Sequence, residues 1–357
     1  MILPMTIPDL PPATLRLQID RSALIANWRT LDRLSGQAAA GAAVKADGYG
    51  LGVAQVVPAL LEAGARQFFV AHWGEVPAVL KHVEGAGVSV LHGINSPEEA
   101  AFALHTGVRP VINSLHQAKL WRDAGGGECQ LMVDSGINRL GLPPADIGDP
   151  LIASLEVDIL MSHLASAEED TPQNSQQLAL FQQLAAGFPA RRRSLANSAG
   201  IALGHAYHFD LTRPGLSLYG GVASAALDGQ IAQVAFPQAA VLQMREISAG
   251  DAVGYNAIFV ARQAMRVATL SLGYADGILR CWGENGALQH GGRTLPILGR
   301  VSMDRVVVDC SQAPDLKEGD FLDFSYDLPG ASAASGLSQY ELLTLLGKRF
   351  SRKMIEE

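Results

Sequence analysis

Between residues 41 and 211, a short apolar run ending in a polar or glycine-rich turn occurs eight times, with amphipathic stretches between most of the runs. The runs are Gly41–Lys45, Gln67–Ala71, Val88–His92, Arg109–Ile112, Gln130–Val133, Val157–Met161, Ser194–Ala196 and His208–Leu211. Helix-like sequence at Val53–Ala63, Glu75–Val83, Pro97–His105, Leu115–Asp123 and Ser175–Ala186 separates several of them. Such alternation predicts parallel strands joined by crossover helices. Eight units in roughly 200 residues fit a TIM-type (β/α)8 barrel. Little helix follows the fifth and eighth units. Ahead of the series, Ala13–Ile19 alternates like a strand, and Asp20 precedes Leu24, Trp28 and Leu31 as a helix N-cap would.

Past about residue 225 the texture changes. Val234–Ile247, Ala257–Leu272, Arg293–Val301 and Arg305–Cys310 read as strands with Gly, Asp and Asn turns between them, and helical sequence returns only at Ser338–Leu346. The expected fold class is therefore α/β: a barrel over 12–228 followed by a mainly β domain over 229–357. With 357 residues, 48% of them hydrophobic and 17% charged, the chain can fill both cores. A net charge of −8 argues against a nucleic-acid partner. The segment Met1–Pro12 has no basic region and does not read as a secretory signal. No uncharged apolar run reaches the ~18 residues that a membrane helix needs. Three scattered cysteines form neither a disulfide framework nor a zinc pattern. A cytoplasmic protein with no membrane partner is expected, and the basic triplet Arg191–Arg193 reads as a solvated loop.

Barrel chemistry sits at the C-terminal ends of the strands. Seven of the eight ends carry polar residues: Lys45, His72, Asn113, Asp134 with Arg139, His163, Asn197 with Ser198, and Arg213. Lys45 ends an apolar strand in Ala43-Val44-Lys45-Ala46-Asp47-Gly48-Tyr49-Gly50-Leu51-Gly52. Desolvation lowers the pKa of such an amine and suits it to a Schiff base with a carbonyl compound. The alternative is a lysine snorkelling to the strand mouth. The glycine spacing here is not that of a dinucleotide loop. Ser198, Gly215 and Leu216 follow strands seven and eight, where barrels often hold a phosphate. An amine for a carbonyl and a cradle for a phosphate suit the two ends of one cofactor, pyridoxal 5′-phosphate.

At this point the chain resembles the bacterial alanine racemases, fold-III pyridoxal-phosphate enzymes. The matching segments are Ala43–Gly52, Val133–Gly141, Ser162–Ala165, Ala196–Ser198, Arg213–Gly220, Gly254–Tyr255, Gly273–Gly277 and Gly299–Asp304, in family order over almost the whole chain. The resemblance implies that Lys45 carries the cofactor and is one of two bases. Tyr255 would be the other, donated by the partner subunit of a head-to-tail homodimer. Tyr49, Ser198, Gly215 and Leu216 would hold the phosphate, with Asn197 beside them. Arg213 would face the pyridine nitrogen, His163 would support it, and Arg139 would approach the phenolic oxygen. Arg139, Met303 and Asp304 would bind substrate, the last two from the partner chain, and Tyr274 and Arg280 would line the entrance. Arg213 can only donate, so the ring nitrogen would stay unprotonated, which favours racemisation over transamination. The physiological role implied is supply of D-alanine for peptidoglycan.

Two departures stand out. Many family members carry a carbamylated lysine where this chain has Met132, so a bound anion, a water or Asp134 is left to orient Arg139. The segment Lys348–Arg352 lacks the tyrosine that some members place on the phosphate, and no residue is assigned there. His205, His208 and Asp210 have a metal-like spacing, but a short helix at Ile201–His205 would make the imidazoles diverge, so no metal is expected. Cys281 and Cys310 read as inert thiols. Tyr255 and Tyr274 could each be ordinary sheet aromatics without the resemblance. Two rival functions remain: another fold-III enzyme, such as a broader racemase, decarboxylase or aldolase, and a non-catalytic cofactor-binding protein. The β domain disfavours the second, and Arg213 disfavours decarboxylation.

Overall fold

The computed structural model describes residues 11–283 and 285–356, so residues 1–10 of the proline-rich start lie outside it. The chain forms two compact units. One contains Ile19–Ala235, Ser338–Thr344 and residues 354–356, and the other contains residues 11–18, Phe236–Leu337 and Leu345–Lys353.

After β1 (Leu15–Asp20), Asp20 accepts the Ala23 N–H at 2.8 Å and starts α1 (Arg21–Leu34). The helix buries Leu24, Trp28 and Leu31 at the spacing expected. A parallel sheet runs through β3 (Ala42–Ala43), β4 (Phe68–Val70), β5 (Val88–Val90), β6 (Arg109–Ile112), β7 (Glu128–Met132), β8 (Glu156–Met161) and β9 (Arg192–Ser194). Two further short strands, β2 (Ala39–Ala40) and β10 (Leu211–Thr212), pair in parallel with Ala39 opposite Leu211. Backbone bonds from Asp210 to Arg193 (3.0 Å) and from Arg213 to Ala196 (2.8 Å) tie β10 to the β9 segment, so the eight-unit barrel closes. Helices α2 (Val53–Ala63), α3 (Pro97–Thr106), α4 (Leu115–Asp123) and α5 (Pro172–Ala186) lie where the periodicity put them. Ser96 caps α3, whose end is Gly107 in the left-handed region, φ 72°.

Two strand expectations shift. The eighth strand begins at Leu211 rather than His208, because Phe209 has φ 54°, a left-handed conformation no strand contains. His208 is tied to the Ser35 and Ile201 carbonyls through Nδ1 (3.1 Å) and Nε2 (2.9 Å), and its ring meets His205 edge-on, so the two do not converge on a metal. The basic triplet is not a solvated loop. Arg192 and Arg193 belong to β9, Arg192 pairs with Asp158 at 2.5 Å, and Arg191 pairs with Glu128.

The second unit is mainly β, as the change of texture indicates. Its sheet contains β11 (Ala235–Ile247), β14 (Met265–Leu270), β15 (Ala287–His290), β16 (Arg293–Leu298), β17 (Val306–Asp309) and β18 (Phe321–Phe324) in the order β14-β17-β16-β15-β18-β11. The long β11 pairs first with β18 over Gln238–Ala240 and then, from Val241 on, with β14, with a register shift between Val241 and Gln243, which closes the ring. β1 and β19 (Ser351–Ile355) extend this sheet beyond β11. The expected strand Ala257–Leu272 is interrupted. A small hairpin of β12 (Ala252–Val253) and β13 (Phe259–Val260) precedes β14.

Candidate active site

Lys45 lies just past β3, and the backbone after it turns the wrong way for L-residues. Ala46, Asp47 and Tyr49 all have φ between 52° and 54°. Left-handed backbone costs roughly 1–2 kcal/mol per non-glycine residue, so something must hold the turn. Glu75 does so: Oε1 accepts the Ala46 N–H at 2.5 Å, while Oε2 accepts the Ala71 and His72 N–H groups at 2.7 and 3.1 Å. Asp47 adds a bond from the Val53 N–H at 2.8 Å. Burial lowers the Lys45 pKa below the ordinary lysine value, and the nearby charges of Arg139 and Arg213 push it the same way against Glu75.

A cavity of about 740 Å³ opens beside Lys45. All nine barrel residues expected at the cofactor line it: Lys45, Tyr49, Arg139, His163, Asn197, Ser198, Arg213, Gly215 and Leu216. In its lining, Ser198 Oγ accepts the Gly215 and Ser217 N–H groups at 3.0 and 3.2 Å. Ser217 Oγ, on the same turn, is buried without a hydrogen-bond partner among the described residues. Gly215 leaves room for Tyr49, since a Cβ there would stand 2.2 Å from the Tyr49 hydroxyl. Tyr49 stacks on Tyr219 at 4.7 Å, and Tyr219 donates its hydroxyl to the Ala43 carbonyl at 2.8 Å. Asn197 caps the short helix Ser198–Ala202 through the Gly200 N–H.

Arg213, His163 and Arg139 also line the cavity. Arg213 is buried and donates from Nη2 to the Ser162 carbonyl at 2.5 Å and from Nη1 to Ser194 Oγ. Burial brings its pKa down to about 10, which leaves it charged near neutrality. Burial and then the charges of Arg213, Arg139 and Lys45 press the His163 pKa down to about 3, so this imidazole stays neutral. Arg139 is exposed and makes no hydrogen bond or ion pair among the described residues. Asp134 does not orient it. Asp134 Oδ1 instead accepts the N–H groups of Gly136, Ile137 and Asn138 at 2.8, 3.0 and 3.2 Å and shapes the loop. Met132 is buried on the cavity wall below.

The structure corrects the strand-end list in three places. His72 does not line the cavity; its ring stands edge-on to His92, at 4.0 Å, and His92 lines the wall instead. Asn113 serves the backbone, bonding the Leu91 and Val111 carbonyls, and leaves Gln117 to face the cavity. Asp134 is a loop cap. Sequence reasoning also missed Tyr340, which reaches the cavity from a short helix, Gln339–Thr344, and donates to Glu168 at 2.8 Å. A tyrosine from the C-terminal part of the chain is thus present, eight residues ahead of the segment Lys348–Arg352.

The remaining expected residues belong to the second unit. Tyr255 is 70% exposed on a tight turn between β12 and β13, with Gly254 and Asn256 at φ 71° and 64°. Met303 is 53% exposed. The Tyr274 and Ala275 N–H groups bond the Ser302 and Met303 carbonyls, each at 3.0 Å, and Arg280 lies over the Tyr274 ring at 5.3 Å. Asp304 pairs with Arg349.

Comparison with known proteins points one way. Residues 19–223 match the family model of the alanine racemase N-terminal domain, and residues 234–354 match that of the C-terminal domain. The chain is 40% identical over 356 residues to an alanine racemase of Methylobacterium nodulans, covering 96% of each. In Agrobacterium fabrum it is 38% identical to a biosynthetic alanine racemase, with 96% of this chain and 94% of that one covered. The same species has a catabolic alanine racemase 39% identical, with 95% and 92% covered. Among solved structures, the Bartonella henselae alanine racemase with covalently bound pyridoxal phosphate superposes with a TM-score of 0.87 at 36% identity, over 96% of this chain and all of that one.

Proposed function

From the premise that this chain belongs to the alanine racemase family and uses pyridoxal phosphate to interconvert L- and D-alanine, we propose that Lys45 and Tyr255 are its two bases. The observation that carries the assignment is that the Lys45 amine and the Ser198–Gly215 cradle line one and the same cavity. The residues fit the cofactor: an amine of lowered pKa for its aldehyde, a Ser217 hydroxyl on the cradle turn with no partner among the described residues, and two guanidiniums, Arg139 and Arg213, for an anion. When bound, pyridoxal 5′-phosphate supplies an aldehyde for the amino group and an electron-poor ring that weakens the Cα–H bond.

The chain's own residues do the rest. Ser198, Gly215, Leu216 and Tyr49 hold the phosphate, and Asn197 keeps the Ser198 turn in place. Arg213, fixed by Ser162 and Ser194, offers only donors to the ring nitrogen and so keeps it unprotonated. Neutral His163 adds no charge there. The Lys45 amine moves the Cα proton on one face, and the Tyr255 phenol moves it on the other. Arg139, Met303 and, through its backbone, Asp304 set the substrate carboxylate, and Tyr274 borders the entrance. Tyr255, Met303 and Asp304 act in the site of the partner in a head-to-tail homodimer. Exposed Tyr255, Ile258, Val260 and Met303 on one unit support this, since a partner would cover them. The proposal includes supply of D-alanine for peptidoglycan, which predicts D-alanine auxotrophy on loss of the gene in a cell without a second racemase. Incubation with L-alanine in deuterated water tests the chemistry. Optical rotation should vanish and the Cα proton signal should be lost, while carbon dioxide release, or retention of both signals, would reject it.

A further inference from the structure

A guanidinium from the C-terminal part of the chain joins the two loops that carry Tyr274 and Met303. Arg349 donates from Nε to Asp276 Oδ1 at 2.7 Å and from Nη2 to Asp276 Oδ2 at 2.8 Å. Its third arm, Nη1, reaches Asp304 Oδ1 at 2.7 Å. The Asp276 side chain is only 1% exposed, and its Oδ2 also accepts the Gly273 N–H at 3.0 Å. The backbone closes the same knot. Tyr274 and Ala275 bond to Ser302 and Met303, and the Gly347 N–H donates to the Asp276 carbonyl at 3.1 Å. The fit is tight, because a Cβ at Gly273 would stand 2.3 Å from the Met303 carbonyl oxygen. Three segments distant in sequence therefore meet on one side chain, and the two loops are held as one body.

This arrangement also bears on the Asp304 side chain. Its carboxylate neighbours Met303, where the proposed function places an amino-acid carboxylate, and two unscreened anions repel. Pairing with Arg349 neutralises Asp304, and the two carboxylates raise the Arg349 pKa further. We infer that Arg349 is a positioning residue for substrate: it locks the Tyr274 and Met303 loops together and cancels the Asp304 charge beside the carboxylate site. The inference rests on the proposed assignment of Tyr274 and Met303 to substrate.

Arg349→Lys tests it, because a single ammonium cannot span both carboxylates as the planar fork does. The dimeric holoenzyme should keep the visible absorption of its bound cofactor. Its KM for L- and D-alanine should rise by about tenfold in both directions, with kcat little changed. Adding Asp304→Asn to this variant should return KM most of the way, since the uncompensated charge is gone. If Arg349→Lys does not fold, Arg349→Gln with Asp276→Asn replaces the Arg349–Asp276 pair by two amides, leaves no buried charge, and should raise KM in the same way. A fall in Tm with KM unchanged, or a raised KM that Asp304→Asn does not recover, would show a structural role only and overturn the inference. Tyr274→Phe and Met303→Ala distinguish the underlying assignment. If both leave KM unchanged, that assignment fails and takes the inference with it; if they raise KM while the Arg349 variants do not, the inference alone fails.

Discussion

Glu75→Gln probes the support under Lys45. In the parent, one carboxylate oxygen takes the Ala46 N–H and the other takes the Ala71 and His72 N–H groups. An amide has one acceptor oxygen. With that oxygen on Ala71 and His72, its NH2 faces the Ala46 N–H, donor against donor. At least one hydrogen bond to a charged acceptor is lost, a cost of about 1.5–3 kcal/mol. In a unit of this size that lowers Tm by roughly 3–12 °C. The loss falls on the left-handed turn of Ala46, Asp47 and Tyr49, so the Lys45 amine loses its fixed position too. A second effect has a definite sign. Glu75 raises the Lys45 pKa, so neutralising it moves that pKa further below the ordinary lysine value. The assays are thermal unfolding of the apoenzyme and its rate of cofactor uptake against pH. Uptake follows the free amine, so the parent should show a midpoint below 10.5 and Glu75→Gln a lower one still. An unchanged Tm together with an unchanged or raised midpoint would refute the reasoning.

Lys45→Ala should abolish the protein-linked visible band of the cofactor and lower the rate in both directions by at least about 10²-fold; a band that survives dialysis would place the linkage on another lysine. Gly215→Ala puts a Cβ 2.2 Å from the Tyr49 hydroxyl, and the strain of about 1–3 kcal/mol should weaken cofactor affinity roughly 5- to 150-fold, as read by equilibrium dialysis. Because Met132 offers only packing, no carbamate should appear in the intact mass and the rate should not respond to removal of bicarbonate. Activity that falls without bicarbonate, or a carbamate on any lysine beside Arg139, would contradict this. With no partner among the described residues, Arg139 should instead take a small anion, so depleting chloride should slow the parent more than Met132→Lys.

The barrel was legible because its signals are local. Each strand end announces itself within a few residues, and the nine cavity residues all sit at such ends or in the turns that follow. What failed to show was long-range or had no periodicity. Tyr340 comes from a helix more than a hundred residues beyond the last barrel strand, and no spacing links it to Tyr49, with which it shares the cavity. Glu75 works by accepting backbone N–H groups, which any surface glutamate could do, although its place three residues after His72 is a capping pattern. The helix Leu328–Ser335 was overlooked because Leu328-Pro329-Gly330-Ala331-Ser332-Ala333-Ala334-Ser335 has no apolar stripe; its Asp327 N-cap and the left-handed Gly336 after it were the usable signs. His72, Asn113 and Asp134 misled for the opposite reason. A polar residue at a strand end looks the same whether it faces a ligand or satisfies the backbone.

The pairing of Lys45 with Tyr255 is tested most directly by primary deuterium isotope effects in Tyr255→Phe, measured from L-alanine and from D-alanine. Each enantiomer presents its Cα proton to a different base, so removing one phenol must burden one direction of proton abstraction more than the other. The account predicts a folded, cofactor-loaded variant with a large rate loss and unequal isotope effects in the two directions. Equal effects with parent-like rates in both directions would remove Tyr255 from the mechanism and contradict the two-base account.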